Sequence, residues 1–259
     1  MNMYKDEKVV GRLHSVETMG LLDGPGVRTI FFLQGCPLRC AYCHNPDSQA
    51  INAGEEVTPE DILKIAKRYR PYQGEDGGVT FSGGEPLLQG AFLAQTLQLL
   101  KKEGFNTCVD TSGYGQPQYY PEILPYVDTL LLDVKVFDEK SFREICGASM
   151  QGFLNFVTSL EDNGFAGQIW LRHVMLPGYT DNAEAMEQLV ETIKPIQFLV
   201  ERLEIIPYHT HGTAKYEQLG LEYALSDLAP MEQEQAKEWE RYANRLHAQQ
   251  LSASRNGRS

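Results

Sequence analysis

Three of the five cysteines in this chain lie within eight positions of one another, in the stretch GCPLRCAYCHNP. They are Cys36, Cys40 and Cys43. A structural zinc site usually has four ligands, but Cys108 and Cys146 are distant in sequence, and His44 adjoins Cys43 too closely for easy joint ligation. Iron–sulfur clusters are held by thiolates, and three thiolates on a four-iron cluster leave one iron open to another ligand. The C-x3-C-x2-C spacing therefore favours such a cluster over zinc or three buried thiols.

Other polar residues follow short β-rich runs. The runs are VRTIFFLQG (27–35), GGVTFSGG (77–84), FNTCVDTSG (105–113), TLLLDVK (129–135), QIWLRHVMLPG (168–178) and ERLEIIPYH (201–209). Each run ends in chemically unusual residues: the cysteines, SGGEP, DTSG, DVK, the RHVMLPG segment and PYH. In α/β barrels the active site lies at the carboxyl ends of the strands, so these six ends are expected to meet at one site.

Helical patterns separate the runs. The clearest is VTPEDILKIAKRYRPY, where Thr58 and Asp61 form a capping box and Pro59 suits the first helical position. Residues 89–104, 181–194 and 231–250 also read as helices. Alternating strands and helices predict a parallel sheet. We expect an α/β fold, a partial (β/α)6 TIM-like open barrel with N- and C-terminal extensions, in one domain over 10–250 and a disordered tail at 252–259.

Composition excludes several functions. The chain has 259 residues and a net charge of -12, with no run of Lys and Arg, so nucleic acid is not an expected partner. No apolar stretch is long enough to span a membrane, and the N-terminus lacks a secretory signal. A thiol cluster is typical of a reducing compartment. We expect a cytoplasmic protein, and a monomer.

The cysteine motif, with Tyr42 before its last cysteine, and the sequence Ser82-Gly83-Gly84-Glu85-Pro86 together resemble the radical S-adenosylmethionine (SAM) superfamily. This resemblance implies that the amino and carboxylate groups of SAM chelate the open iron. One electron then cleaves a carbon–sulfur bond to give methionine and a 5′-deoxyadenosyl radical.

Further motifs resemble the enzymes that activate glycyl radical enzymes, and among these the activators of pyruvate formate-lyase. They are DGPGVR (23–28), GGVTFSGGEPLL, TCVDTSGY, LLLDVK and LPGYTD, and the resemblance covers about residues 10–250. Activators with extra clusters carry additional cysteines, whereas this chain has none between Cys43 and Cys108. The resemblance implies hydrogen-atom abstraction from a glycine of pyruvate formate-lyase, with flavodoxin or ferredoxin as the electron donor.

Three alternatives stay open. The chain could activate another glycyl radical enzyme, such as a dehydratase or anaerobic ribonucleotide reductase. It could be a radical SAM enzyme acting on a small molecule. It could also be a non-catalytic cluster or zinc module.

The resemblance also implies which residues contact SAM. They are Tyr42, Cys43, His44, Gly83, Gly84, Glu85, Asp133, Val134, Lys135, Arg172 and His209. Glu85 either anchors the glycine turn or contacts the cofactor directly. Lys135 and Arg172 either pair with the SAM carboxylate or ribose region, or form surface ion pairs.

Strand alternation places Asp110 and Asp133 on the side of the sheet that faces the site. Two carboxylates beside the SAM carboxylate would repel one another. We expect them to share Na+ or K+, completed by the Thr111 hydroxyl, as the resemblance also implies. In the alternative, one aspartate caps a turn and the other pairs with Lys135.

The remaining candidates have structural alternatives. Asp23, Gly24, Pro25 and Gly26 either form a tight turn or meet the partner's glycine-bearing loop. We expect Cys108 to fill the barrel interior and Cys146 to lie in the core, neither being needed for the cluster. Structural roles are expected for four histidines: His14, His173, His211 and His247.

Overall fold

The computed structural model of the protein describes residues 9–256. Its centre is one eight-stranded sheet with the strand order β3-β1-β2-β4-β5-β6-β7-β8. The strands are β1 (Gly11–Gly20), β2 (Arg28–Leu33), β3 (Glu55–Val57), β4 (Gly78–Gly83), β5 (Thr107–Thr111), β6 (Thr129–Asp133), β7 (Gln168–Met175) and β8 (Val200–Pro207).

Six of these strands, β2 and β4 to β8, pair in parallel in chain order. They are the six runs predicted from the sequence. The sheet ends at β3 and β8, so the predicted open barrel is confirmed. The sequence analysis missed β1 and β3, which add antiparallel to the β2 edge.

Helices lie between the parallel strands and after β8. They are α1 (Pro59–Tyr69), α2 (Gly90–Lys102), α3 (Tyr120–Ile123), α4 (Glu139–Cys146), α5 (Gln151–Asp162), α6 (Ala183–Thr192), α7 (Thr213–Leu219) and α8 (Gln233–Asn256). The capping box at α1 is present, because Thr58 Oγ1 accepts from the Asp61 N–H and the Asp61 carboxylate accepts from the Thr58 N–H. None of the helices among residues 9–256 is long and apolar enough to cross a membrane.

The C-terminal prediction needs a correction. A disordered tail was expected over residues 252–259, but α8 continues to Asn256. The Ser252 hydroxyl donates to the Ala248 carbonyl, and the Ser254 hydroxyl donates to Gln197 Oε1. These hydrogen bonds hold the last turns of α8 in place, although the apolar periodicity of the helix has ended by then. Residues 257–259 lie outside the described part of the chain.

The two faces of the sheet differ in chemistry. The outer face belongs to the apolar core beneath the helices and includes Phe31, Val109 and Leu132. The inner face carries Arg28 and Cys108, both fully buried, so Cys108 fills the barrel interior as predicted. Polar side chains on the inner face give the barrel a charged interior.

Loop 21–26, before β2, is bonded to this interior. Thr80 Oγ1 donates to the Asp23 carbonyl (2.7 Å) and Arg28 Nη1 to the Pro25 carbonyl (2.8 Å). Arg172 Nη2 donates to the Leu22 carbonyl. A side chain on Gly24 would lie 2.9 Å from Arg28 Cδ, so this close approach requires glycine.

Candidate functional site

The cysteine loop (residues 35–46) leaves the carboxyl end of β2. Its backbone is fixed at several points by hydrogen bonds. The Gly35 N–H donates to the Ser48 carbonyl (2.7 Å), and two further backbone N–H groups of the loop donate to carbonyls at the end of α4. Those last bonds join the Arg39 N–H to Cys146 O (2.8 Å) and the Ala41 N–H to Ile145 O (2.7 Å). The loop therefore holds its cysteines, all free and half-buried, in a defined conformation.

The three cysteines of the loop line one cavity of about 240 Å³. The other predicted residues on its wall are Tyr42, His44, Gly83, Gly84, Asp110, Thr111, Asp133 and Lys135. The wall also includes residues that the sequence analysis did not assign: Leu38, Asn45, Ser82, Ser112 and Val174. Ser82 and Ser112 stood inside the SGGEP and DTSG motifs, so their position at strand ends was the available signal.

Gly83 and Gly84 form a wall without side chains. Gly83 has φ +117, and a Cβ there would lie 2.3 Å from the Leu33 backbone. A Cβ on Gly84 would lie 2.2 Å from the Gly35 carbonyl oxygen. Glycine is therefore required at both positions, and a ligand can approach the backbone closely.

Glu85 anchors this turn from below. Its side chain is 1% exposed. Oε1 accepts from the Leu87 N–H (3.1 Å) and the Thr111 hydroxyl (2.5 Å), and Oε2 from the Ser112 N–H (2.8 Å) and hydroxyl (2.5 Å). Burial raises the pKa of the carboxyl, while these four donors oppose the rise. This geometry favours the anchoring role over direct cofactor contact.

The carboxyl groups of Asp110 and Asp133 both line the cavity and repel each other. Burial and the neighbouring Asp133 carboxylate raise the pKa of Asp110 to about 6. Ser82 Oγ donates to Asp110 Oδ2 (2.7 Å), and Lys135 Nζ donates to Asp133 Oδ2 (2.6 Å). Burial works against the Lys135 ammonium, but Asp133, Tyr42 and Cys40 together outweigh it and keep the lysine pKa above its ordinary value. The cavity thus holds one lysine beside two carboxyl groups.

Three of the predicted SAM contacts, Tyr42, His44 and His209, lie together at a second wall. The Tyr42 ring is buried with Lys135 Nζ 5.9 Å from its centroid. The His44 ring stacks on His209, with centroids 4.0 Å apart at 15°. His209 therefore reaches the cavity through His44, and the His211 ring packs at a tilt of 35° against His209, with centroids 4.3 Å apart. Burial lowers the pKa of both His44 and His209, the latter to about 4, so these rings are neutral at pH 7.

Arg172 and Val134 stand back from this wall. The Arg172 guanidinium bonds the Leu22 carbonyl, and its Nε lies 3.5 Å from Glu204 Oε2. Val134 is buried, and its N–H donates to the Arg172 carbonyl (2.9 Å). Neither lines the cavity, so the structure separates both of them from the cysteines.

The other histidines have structural partners. His173 is fully buried between the Val134 carbonyl (2.8 Å) and the Thr180 hydroxyl (3.1 Å), and burial lowers its pKa to about 4. His247 contacts the Gln197 carbonyl, and His14 pairs with Asp47 at 3.1 Å.

The pKa values of the three loop thiols shift in different directions. Burial raises the pKa of Cys36 to about 12 and raises that of Cys43. Cys40 has a lowered pKa because the Cys146 thiol donates a hydrogen bond to its sulfur. Cys146 lies in the core as predicted, but its contact with Cys40 was not predictable from any sequence pattern. Metal binding must displace protons from these thiols.

The donor set fits the cofactors that the motifs imply. Three soft thiols share a cavity with a side-chain-free wall for a ligand's polar end and a lysine for its carboxylate. Among residues 9–256, no three His, Cys, Asp or Glu side chains are placed to hold one metal ion together. A cluster differs from a single ion in this respect, because each thiolate binds a different iron atom.

Comparisons with known proteins identify the family of the chain. Residues 30–192 match the family model described as the radical SAM superfamily. The chain is 47% identical to a pyruvate formate-lyase-activating enzyme from Clostridium pasteurianum, over 92% of this chain and 99% of that protein. It is 42% identical to one from Staphylococcus epidermidis, over 90% of this chain and 95% of that protein.

Two solved structures share the fold. One is a domain of a pyruvate-formate lyase-activating enzyme from Bacteroides vulgatus, with TM-score 0.51 and 21% identity over 66% of this chain and 94% of that one. The other is Streptococcus suis SuiB bound to its precursor peptide SuiA, with TM-score 0.55 and 19% identity over 71% of this chain and 40% of that one.

Proposed function

The chain belongs to the radical SAM superfamily and, within it, to the family of pyruvate formate-lyase-activating enzymes, and from this premise we propose that it installs a glycyl radical on pyruvate formate-lyase. The observation that carries the proposal is the meeting of three thiols, a glycine wall and a half-buried lysine in one cavity. When bound, a reduced four-iron cluster and SAM supply a 5′-deoxyadenosyl radical, which takes a hydrogen atom from one glycine of the partner and leaves methionine and 5′-deoxyadenosine.

The chain's residues position these groups. Cys36, Cys40 and Cys43 hold three irons of the cluster. The backbone of Gly83 and Gly84 receives the amino group of SAM, since no side chain stands between them and the cavity. Lys135 neutralises the SAM carboxylate next to Asp133.

The aromatic wall receives the other end of SAM. The backbone from Tyr42 to His44 would lie along the adenine, and the His209 ring, stacked on His44, would hold that ring in place. Glu85 acts indirectly, because its four hydrogen bonds hold the glycine turn and the Ser112 backbone together. Arg172 acts through loop 21–26, where it bonds the Leu22 carbonyl.

We propose that Asp110 and Asp133 share Na+ or K+. The supporting observation is that the two carboxyl groups line one cavity and repel each other. The Thr111 hydroxyl already donates to Glu85 and accepts from the Gly113 N–H, so it contributes only a remaining lone pair. SAM affinity should then differ between buffers containing K+ and buffers containing only a bulky organic cation. Equal affinity in both would argue for the simple Asp133–Lys135 pair.

The remaining partners follow from the same proposal. Flavodoxin or ferredoxin would donate the electron, and the protein would act as a cytoplasmic monomer. The segment Asp23, Gly24, Pro25 and Gly26 would meet the partner's loop. Its neighbours Leu21 and Leu22 are 70% and 82% exposed, as suits a contact surface.

The test is anaerobic. Reconstituted protein, a reductant and SAM are mixed with pyruvate formate-lyase, and the glycyl radical is measured by electron paramagnetic resonance with 5′-deoxyadenosine quantified in parallel. Cys40→Ala should abolish both signals, whereas Cys108→Ser should retain them because Cys108 lies outside the cavity. SAM cleavage that yields a radical only on another glycyl radical enzyme would redirect the proposal to that enzyme.

A further inference from the structure

The end of the cysteine loop is bonded to a distant part of the chain. We define residues 43–47 as the third-cysteine segment. Its hydrogen bonds to residues 209–216 are Tyr216 Oη to Cys43 O (3.0 Å), His44 Nε2 to His209 O (3.1 Å), and Lys215 Nζ to Asn45 Oδ1 (2.8 Å) and Asp47 Oδ1 (3.1 Å). These contacts join residues 165 to 173 positions apart, and Tyr216 and Lys215 both lie on α7.

The first two cysteines are supported differently. The N–H of Cys36 donates to the Gln49 carbonyl (3.2 Å), close in sequence. Cys40 lies between Arg39 and Ala41, whose N–H groups donate to the end of α4. The third cysteine therefore depends on α7 in a way that the first two do not.

Lys215 is central to this contact. Its ammonium bridges two side chains of the third-cysteine segment, and the other Asp47 oxygen lies 3.1 Å from His14 Nε2 on β1. Asp47 thus joins the segment to β1 and to α7. The turn before α7 also packs directly on the segment, because a Cβ on Gly212 would lie 2.8 Å from His44 Cα.

We propose that α7 is a clasp for the third ligand of the cluster, with Lys215 as its positioning residue and Tyr216 as its second contact. Lys215 does not touch the cluster-binding sulfur but acts through Asn45 and Asp47. The inference rests on the proposed function in one respect, namely that Cys43 binds a cluster.

Hydrogen–deuterium exchange of the cluster-free, full-length protein tests the clasp without any cofactor. Lys215→Met keeps the length and apolar stem of the side chain but removes the charge. We expect amides of residues 43–48 to exchange roughly three- to tenfold faster, as fits the loss of one or two hydrogen bonds, while those of 36–41 stay unchanged. Lys194→Met is the matched control, because Lys194 forms an exposed ion pair with Glu191 (2.8 Å).

Iron release tests the consequence in the reconstituted protein. With a chelator in excess, the visible absorbance of the cluster should decay roughly three- to tenfold faster in Lys215→Met than in the wild type. Tyr216→Phe, which keeps the ring and removes the bond to the Cys43 carbonyl, should change it less. Lys215→Arg retains the charge and donors, and should restore slow release.

The outcomes separate the two proposals. A wild-type protein that takes up no iron–sulfur cluster would overturn the proposed function, and the exchange data alone would then decide on the clasp. A cluster-containing wild type with Lys215→Met indistinguishable from Lys194→Met in both assays would overturn the clasp. Faster exchange across all peptides of Lys215→Met would also overturn it, since that pattern indicates a general loss of stability.

Discussion

Replacing Asp110 with asparagine should make the cofactor-free protein more stable and less active. The Asp110 carboxyl lies on the inner face of β5, where burial and Asp133 raise its pKa from 3.8 to about 6. At pH 7.5 the folded state must therefore hold a carboxylate in a place that disfavours it. Asparagine keeps an oxygen for the Ser82 hydroxyl and offers an N–H group toward Asp133.

The size of the effect follows from the pKa. A rise of about two pKa units corresponds to at most about 3 kcal/mol, and we expect about 1 to 3 kcal/mol. Because the folded pKa exceeds the unfolded one, the folded state binds the proton more tightly. The wild-type free energy of unfolding therefore falls as pH rises from about 4 to about 6. Above that range Asp110 is ionised in both states, so the free energy of unfolding stays at its lowered value.

Thermal unfolding of cluster-free Asp110→Asn and wild type measures this difference, in a buffer whose only cation is a bulky organic one. At pH 7.5 the variant should melt about 2 to 6 °C higher, and the gap should close near pH 4. Adding K+ should stabilise the wild type more than the variant if the proposed cation site exists. Equal melting temperatures at pH 7.5, or a gap that grows on acidification, would show that the buried Asp110 carboxylate does not destabilise the folded state.

Three further changes test the elements around the site. Gly83→Ala should abolish SAM binding, measured by equilibrium dialysis, because φ +117 and the 2.3 Å approach to Leu33 leave no room for a methyl group; binding at wild-type affinity would contradict it. Glu85→Gln should lower the free energy of unfolding by about 2 to 4 kcal/mol in a denaturant titration, since an amide nitrogen cannot accept from the Ser112 donors. Arg28→Lys should lower it by about 3 kcal/mol, because lysine cannot reproduce the fan of bonds to Thr80, Val79 and Asn106; an unchanged calorimetric melting temperature would count against this.

The parallel strands were predictable because each is a short run rich in apolar residues, buried on one face by helices. β1 was not, since its sequence GRLHSVETMG mixes exposed and buried positions and its partner is chosen by tertiary contact. α5 was missed although its Phe153, Phe156 and Leu160 repeat at helical spacing. Local pattern thus identified the barrel, while the antiparallel edge depended on contacts distant in sequence.

The site shows a similar division. Motif spacing and strand alternation predicted that several residues would share one site, and the structure places them on one cavity. They are the three cysteines, Gly83, Gly84, Asp110 and Lys135. Alternation gives the face of a residue but not its depth in the barrel. Arg172 is on the inner face opposite Asp133, yet its guanidinium turns to the Leu22 carbonyl, because loop 21–26 folds against the barrel interior. No sequence period predicts where such a loop lies.

The hydrogen bond between Tyr216 and the Cys43 carbonyl has a consequence for the timing of biosynthesis. The two residues are 173 positions apart, so a ribosome adding about 5 to 20 residues per second makes them roughly 9 to 35 s apart. During that interval the cysteine loop exists without α7. Chains stalled before residue 213 would present all three thiols on a loop whose last segment lacks the contacts of Lys215 and Tyr216, and such chains should be the ones most readily modified by a thiol-reactive probe.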